Sequence, residues 1–166
     1  MMDKNRYRND PHVFVLDMSD TEKKKSSYIN LMFVIGIAAV WILAGMVNQD
    51  SSRTGWIVFL YLFTYLPLIY ALFGVAVYWE SGTVMSCLQY QQGLLRIRRS
   101  LLAVLVMDAL GILAELLFIF LYRMEIHAVR ELAYLFLHLP VIALVMIYGY
   151  YYDHTYVSGL QEMEHG

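Results

Sequence analysis

The chain has 166 residues, of which 60% are hydrophobic and 16% are charged, and its net charge is −2. A soluble domain has about 45–50% apolar and about 25% charged residues, so the composition excludes an ordinary soluble globule. The small negative charge argues against a nucleic-acid partner. The single cysteine, Cys87, cannot form an internal disulfide, which excludes the membrane thiol oxidases that need paired cysteines.

The first 28 residues form a polar segment that we expect to be a flexible cytoplasmic tail. Its apolar patch, residues 12–16, is too small to form a core, although it could pair as a short strand or dock on a partner. The first long apolar run begins near residue 29, behind a charged region, and it is too long for the apolar part of a typical signal peptide. It therefore predicts an uncleaved membrane helix.

Four apolar stretches follow that tail, and together they predict an all-α polytopic membrane protein. Each has about the 20 residues that are needed to cross a hydrocarbon core of ~30 Å. They predict an antiparallel bundle of four transmembrane helices within residues 29–152, followed by a cytoplasmic tail over 153–166. The stretches are residues 29–47, 55–79, 101–122 and 132–152.

Two prolines lie inside predicted helices and should kink them. Pro67 is near the middle of the second helix, where the carbonyl that it leaves free needs a new partner, and Thr64 is close enough to repair the turn. Pro140 interrupts the fourth helix. A tyrosine cluster typical of an interfacial anchor ends that helix, namely Tyr148, Tyr150, Tyr151 and Tyr152.

The longest predicted link, residues 80–100, is basic at its end. Its part over 85–99 is compatible with a short amphipathic helix lying on the membrane and equally with a basic elbow that leads into the third helix. In both cases we expect Arg96, Arg98 and Arg99 to lie at the cytoplasmic headgroup level and to contact anionic lipid.

The distribution of Lys and Arg predicts the orientation of the bundle. With four spans, nine of these residues fall on the side of the two termini and three fall on the other side. The positive-inside rule therefore places both termini in the cytoplasm, and we expect the plasma membrane as the location.

Three ionisable side chains lie deep inside the predicted helices. Asp108 and Glu115 share one face of the third helix, and an ionised carboxylate at this depth costs at least ~2.5 kcal/mol. Counting ~1.5 Å per residue from the helix midpoints places His138 of the fourth helix level with Glu115 and Thr64. The same count places Tyr70 level with Asp108. We therefore expect Glu115 to contact His138 within an intramembrane polar cluster.

This polar cluster has three interpretations. It is a set of hydrogen bonds that holds the helices together, a proton or cation relay through Asp108, Glu115 and His138, or a catalytic site. The spacing of His127, Glu131 and His138 is also compatible with a divalent metal ion. His127 and Glu131 lie at the predicted outer interface, however, where polar residues are expected anyway. We therefore predict no catalytic residue, metal site or cofactor.

These features favour a non-enzymatic multi-pass membrane protein that acts as an accessory, regulatory or assembly subunit through its transmembrane helices. Its expected partners are the bilayer and either another membrane protein or a second copy of itself. The alternative is a small ion- or proton-coupled transporter or channel, which would have to oligomerise because four helices leave little room for a private pathway. An intramembrane enzyme is the second alternative. A water-filled cavity lined by Asp108 and Glu115 would favour transport, whereas a dry pocket with hydrogen-bonded acids would favour a structural role.

Overall fold

The structure, a computed structural model, describes residues 12–47, 50–122, 127–157 and 160–164. It is predominantly helical, with a small sheet at one end. The helices are α1 Asp20–Met46, α2 Gly55–Phe63, α3 Tyr65–Glu80, α4 Cys87–Tyr90, α5 Arg96–Tyr122 and α6 Ala128–Tyr152. The strands are β1 His12–Leu16, β2 Val84–Ser86 and β3 Leu160–Glu164.

Four helical segments are long and apolar enough to span a membrane, and each overlaps one of the predicted apolar stretches. They are Asp20–Met46, Gly55–Glu80, Cys87–Tyr122 and Val129–Val157. The first and third begin well before the apolar runs because a capping box starts each of them. Ser19 pairs in this way with Glu22, and Ser86 pairs with Gln89, so that each side chain satisfies a backbone N–H of the first turn.

Residues 87–95 extend the third segment directly into α5. After α4 the chain makes a single π-helical turn, Gln91–Leu95, and continues as α5. This turn packs closely on α3 because Gly74 has no side chain. A Cβ at Gly74 would lie 2.9 Å from Ile97 Cγ1 and 3.0 Å from the Gly93 carbonyl oxygen. The predicted link is therefore mostly helical and belongs to the bundle.

The two internal prolines have different effects on their helices. The second segment divides at Thr64, between α2 and α3 and three residues before Pro67. The Thr64 hydroxyl donates to the Leu60 carbonyl at 3.1 Å, a type of bond that often bends helices. By contrast, α6 continues through Pro140. Of these two prolines, only Pro67 therefore lies next to a break in a helix.

Buried side chains recur along the long helices at alternating spacings of three and four, which is typical of four-helix bundles. On α6 this stripe consists of Glu131, Tyr134, His138, Val141, Val145, Tyr148 and Tyr152. Both α1 and α5 contact α3 and α6. Phe33 packs against Tyr148, and Trp41 packs against His138. Residue numbers therefore fall along α6 as they rise along α1.

Strand β1 lies within the predicted tail 1–28, in the apolar patch that could pair as a strand, and strand β3 lies within the predicted tail 153–166. β1 lies between β2 and β3 and pairs antiparallel with both. Val13, Leu16 and Met85 are buried, so the apolar patch of the first tail is covered by the bundle and by its neighbouring strand. The ends of both tails lie outside the described residues.

We call the end of the bundle that carries this sheet the sheet end. The opposite end carries the turn Asp50–Arg53 and the start of α6, and we call it the link end. Tyr148 and Tyr152 are buried near the sheet end, whereas Tyr150 is exposed. Part of the predicted tyrosine anchor is thus a component of the core.

Lys23 is a buried cation at the sheet end. Its ammonium group donates to the carbonyl oxygens of Tyr78 and Ser81, at the last turn of α3. A cation at this position satisfies free carbonyl groups and is favoured by the helix dipole. One lysine of the basic run in the first tail is therefore a structural element that joins α1 to α3.

Candidate functional site

A fully buried polar contact joins α5 to α6. Asp108 and His138 have no exposed side-chain surface, and Asp108 Oδ1 lies 2.8 Å from His138 Nδ1. This hydrogen bond offsets part of the cost of burying two ionisable groups, which is large for either group alone. The second polar atom of each group, Asp108 Oδ2 and His138 Nε2, has no hydrogen-bond partner among the described residues.

Aromatic rings and a glycine fix the position of His138. Trp41 of α1 and Tyr134 of α6 meet the imidazole edge to face, with ring centroids 5.2 Å and 5.0 Å away. Gly111 of α5 faces the same ring, and a Cβ at this position would lie 3.2 Å from His138 Cε1. Residues from three helices thus hold the imidazole in one orientation, and the missing side chain at Gly111 makes room for it.

Glu115 has different neighbours from those expected. The prediction pairs it with His138, but that imidazole hydrogen-bonds to Asp108. The buried Glu115 carboxyl instead lies beside the Glu131 carboxyl of α6 and the Ser51 hydroxyl of the first link. Neither Glu115 oxygen completes a regular hydrogen bond within the described part of the chain. The two contacts, Asp108 with His138 and Glu115 with Glu131, are seven residues apart on each helix. Together they set the register of α5 against α6.

Glu131 also fastens the link between α1 and α2. Its Oε1 accepts the backbone N–H groups of Asp50 and Ser51, the latter at 3.3 Å. Asp50 Oδ2 in turn accepts the backbone N–H of His127 at 2.9 Å and lies 3.0 Å from the Nδ1 atom of that residue. These bonds, the backbone one above all, hold the pKa of Asp50 below its ordinary value. The first link is thereby tied to the start of α6.

The interior next to this site is closely packed. A cavity of about 10 Å³ lies beside Thr64, Gly111 and Tyr134, and this volume is at the lower limit for one water molecule. Thr64 is buried in its wall. On the sheet side of Asp108 and His138, buried aliphatic side chains from three helices fill the core, and we call them the apolar layer. They are Val34, Ile37, Leu101, Val104 and Val141.

Tyr70 and the three arginines of the predicted site lie away from this cluster. Tyr70 is 54% exposed, and the Arg96 guanidinium lies over its ring, 4.5 Å from the centroid. Arg98 forms an ion pair with Asp153 at 3.4 Å. Arg96 and Arg99 line a groove on the outside of the bundle.

Sequence reasoning missed Trp41, Tyr134 and the internal contacts of Glu131. Tyr134 is buried within electrostatic reach of both carboxyl groups of α5. A signal for it was present, because Glu131, Tyr134 and His138 follow one another at spacings of three and four on α6. No comparable signal identifies Trp41, because its contact depends on which helix packs against which.

The titratable side chains of the site can bind protons, and its hydrogen bonds connect neighbouring elements of the bundle. No three His, Cys, Asp or Glu side chains in the described ranges converge well enough to hold a metal ion, and His127 bonds to Asp50 away from His138. Comparison with protein-family models, with curated proteins and with solved structures finds no match. The function must therefore be inferred from the geometry.

Proposed function

We propose that the chain is a multi-pass protein of the plasma membrane, with four antiparallel spanning helices and both termini in the cytoplasm. Four long apolar segments support membrane insertion. The excess of Lys and Arg on the side of the termini supports the orientation. Many large apolar side chains are exposed on the outside of the helices, among them Leu113, Phe120 and Phe136, and such surfaces are typical of contact with lipid or with another protein.

Within the membrane we propose a non-enzymatic role as an accessory, regulatory or assembly subunit. The observation that carries this proposal is the apolar layer beside the Asp108–His138 pair. A pathway across the bundle would need polar groups or space on both sides of that pair, whereas the apolar layer lies directly on its sheet side and separates it from the buried polar side chains nearer the sheet. The polar side chains are used between elements, as in the bonds of Glu131 to the first link. This arrangement supports a bundle that presents its outer faces to a partner.

Photo-crosslinking in native membranes tests this role. A diazirine analogue of leucine at Leu113, on the exposed face of α5, should capture a different membrane protein as a discrete adduct. The matched control is the same analogue at Leu101, which is buried in the apolar layer of the same helix and should give no intermolecular adduct. Adducts only with lipid at Leu113 would contradict an accessory role through this face.

A second candidate function is favoured by one observation. Titratable side chains follow one another from the surface of the link end to the middle of the bundle, and such lines occur in proton relays. They are His127, Asp50, Glu131, Glu115 and the Asp108–His138 pair. A proton-coupled transporter or channel would require the apolar layer to open or a second copy to complete the pathway. Proton flux in liposomes distinguishes the two functions.

A further inference from the structure

A groove of about 740 Å³ lies on the outside of the bundle, between α3 and the start of α5. Leu66, Ile69 and Ala103 contribute to its apolar part, and Arg96 and Arg99 lie at its basic part. A surface with an apolar half and a basic half matches a ligand that has an apolar chain and an anionic head.

The two arginines of the groove are available for such a head. Neither forms an ion pair with a described residue, and no carboxylate is among the described residues that line the groove. The ring of Tyr70 supports the Arg96 guanidinium from below, at 4.5 Å. Arg98, which lies between them in the chain, is paired with Asp153 instead. Of the three arginines at the start of α5, Arg98 therefore contacts an acidic residue of the protein, whereas Arg96 and Arg99 line the groove.

Ser100 gives a second, independent indication of a ligand. It lines the groove, it is only 4% exposed, and its hydroxyl has no hydrogen-bond partner among the described residues. A buried hydroxyl without a partner is destabilising, so an acceptor oxygen placed in the groove would restore the missing bond.

We infer that this groove binds one anionic phospholipid from the leaflet that surrounds the sheet end. Arg96, Arg99 and Ser100 hold the phosphate, and an acyl chain lies along Leu66 and Ala103. A lipid fits better than a soluble phosphate compound because the apolar part of the groove lies on spanning segments of the bundle. The inference rests on the membrane insertion proposed above.

Native mass spectrometry of the full chain, purified in detergent, measures this binding directly. Dioleoyl phosphatidylglycerol is titrated against dioleoyl phosphatidylcholine. We expect one phosphatidylglycerol per chain to be retained in preference to phosphatidylcholine. The double variant Arg96→Gln/Arg99→Gln should bind it roughly 30-fold more weakly, as expected for the loss of two arginine contacts with an anionic lipid.

The control variant Lys24→Gln/Arg98→Gln removes the same charge from the sheet end of the bundle but leaves the groove residues unchanged, so its affinity should equal that of the wild type. A second variant, Ala103→Trp, keeps every charge and fills the apolar part of the groove. Ala103 is exposed, so the fold should persist, and we expect the bound lipid to be lost.

Three results would overturn the inference. They are equal affinity for the two lipids, equal weakening in the two double variants, and displacement of the lipid by millimolar glycerol phosphate, which would indicate a site for a soluble phosphate compound. The proposed membrane insertion fails separately, since a chain that is not inserted would appear in the soluble fraction of the cells. A chain that is inserted but has no lipid preference contradicts only this inference.

Discussion

At the scale of single residues, the contact between Asp108 and His138 explains how two ionisable groups are buried in an apolar helix pair. Either group alone would carry the full cost of leaving water, and the 2.8 Å hydrogen bond between them offsets part of it. Trp41 and Tyr134 pack edge to face against the imidazole. The stability of the bundle should therefore depend on the pair as a unit.

A double-mutant cycle measures this dependence. Asp108→Asn and His138→Gln should each lower the free energy of unfolding in detergent, and the double variant should lose less than the sum, with a coupling of about 0.5–3 kcal/mol. Thermal unfolding followed by circular dichroism provides the values. The matched cycle uses Glu115→Gln with His138→Gln, for which we expect a smaller coupling. A larger coupling in this second cycle would support the pairing expected from the sequence and contradict the structure.

Gly111 permits a second test at this scale. Its missing Cβ would lie 3.2 Å from His138, whereas nothing lies within 4 Å of a Cβ at Gly149 on α6. Gly111→Val should therefore lower the free energy of unfolding by about 1–3 kcal/mol through overpacking. Gly149→Val, measured in the same assay, should be nearly neutral. Equal effects of the two substitutions would mean that Gly111 does not make room for the imidazole.

At the scale of elements, the four helices could be predicted from the sequence, but their register could not. The apolar runs identify the helices, and the depth of their acids follows from simple counting. Both α5 and α6, however, begin before their apolar runs, at Arg96 and Ala128. The midpoint of each helix is therefore expected from the sequence at too high a residue number. Because residue numbers run in opposite directions along the two helices, these two displacements shift the expected register in the same sense. His138 is thus opposite Asp108, and Glu115 is opposite Glu131.

The link between α1 and α2 gives a prediction of pH dependence. The bonds from His127 keep the pKa of Asp50 below its ordinary value. Their stabilising contribution is therefore complete above the ordinary Asp pKa of about 4, and it is lost as the pH falls through the lower pKa of the folded state. We expect proteolysis of the link by an acid-active protease to become faster in that range of pH.

Asp50→Asn supplies the control for this experiment. The variant keeps the size of the side chain but has no group that titrates at this position. Its link should therefore be cleaved faster than that of the wild type above the ordinary Asp pKa of about 4, and its cleavage should lack the acid-dependent step. An identical step in the variant and in the wild type would show that another group is responsible.

At the scale of the whole molecule, the sheet is the feature that composition could not predict. β1, β2 and β3 come from three separate parts of the chain. Residues 12–16, which form β1, could be recognised as a possible short strand, but no pattern in the sequence identifies β2 and β3 as its partners. Lys23 also looks like one member of a basic run, although it is buried. The sheet ties both tails to one end of the bundle, which is consistent with the proposed location of both termini on one side of the membrane.

Cysteine accessibility tests that orientation. In a Cys87→Ser background, a cysteine at position 52 should react with an impermeant reagent added to intact cells. A cysteine at position 21 should react only after permeabilisation, because Thr21 is at the sheet end. Both native side chains are exposed, so burial does not explain a difference between them. Labelling of position 21 in intact cells would contradict the orientation.

The proposed non-transport function requires that the apolar layer beside the Asp108–His138 pair leaves no pathway for ions through the bundle. Proton flux into liposomes that contain the purified chain, driven by an imposed pH gradient and membrane potential, tests it most directly. We predict the same flux as in protein-free liposomes, for the wild type and for Glu115→Gln. A flux that requires the wild-type chain, and that disappears in a folded Glu115→Gln variant, would contradict this claim and would favour proton transport.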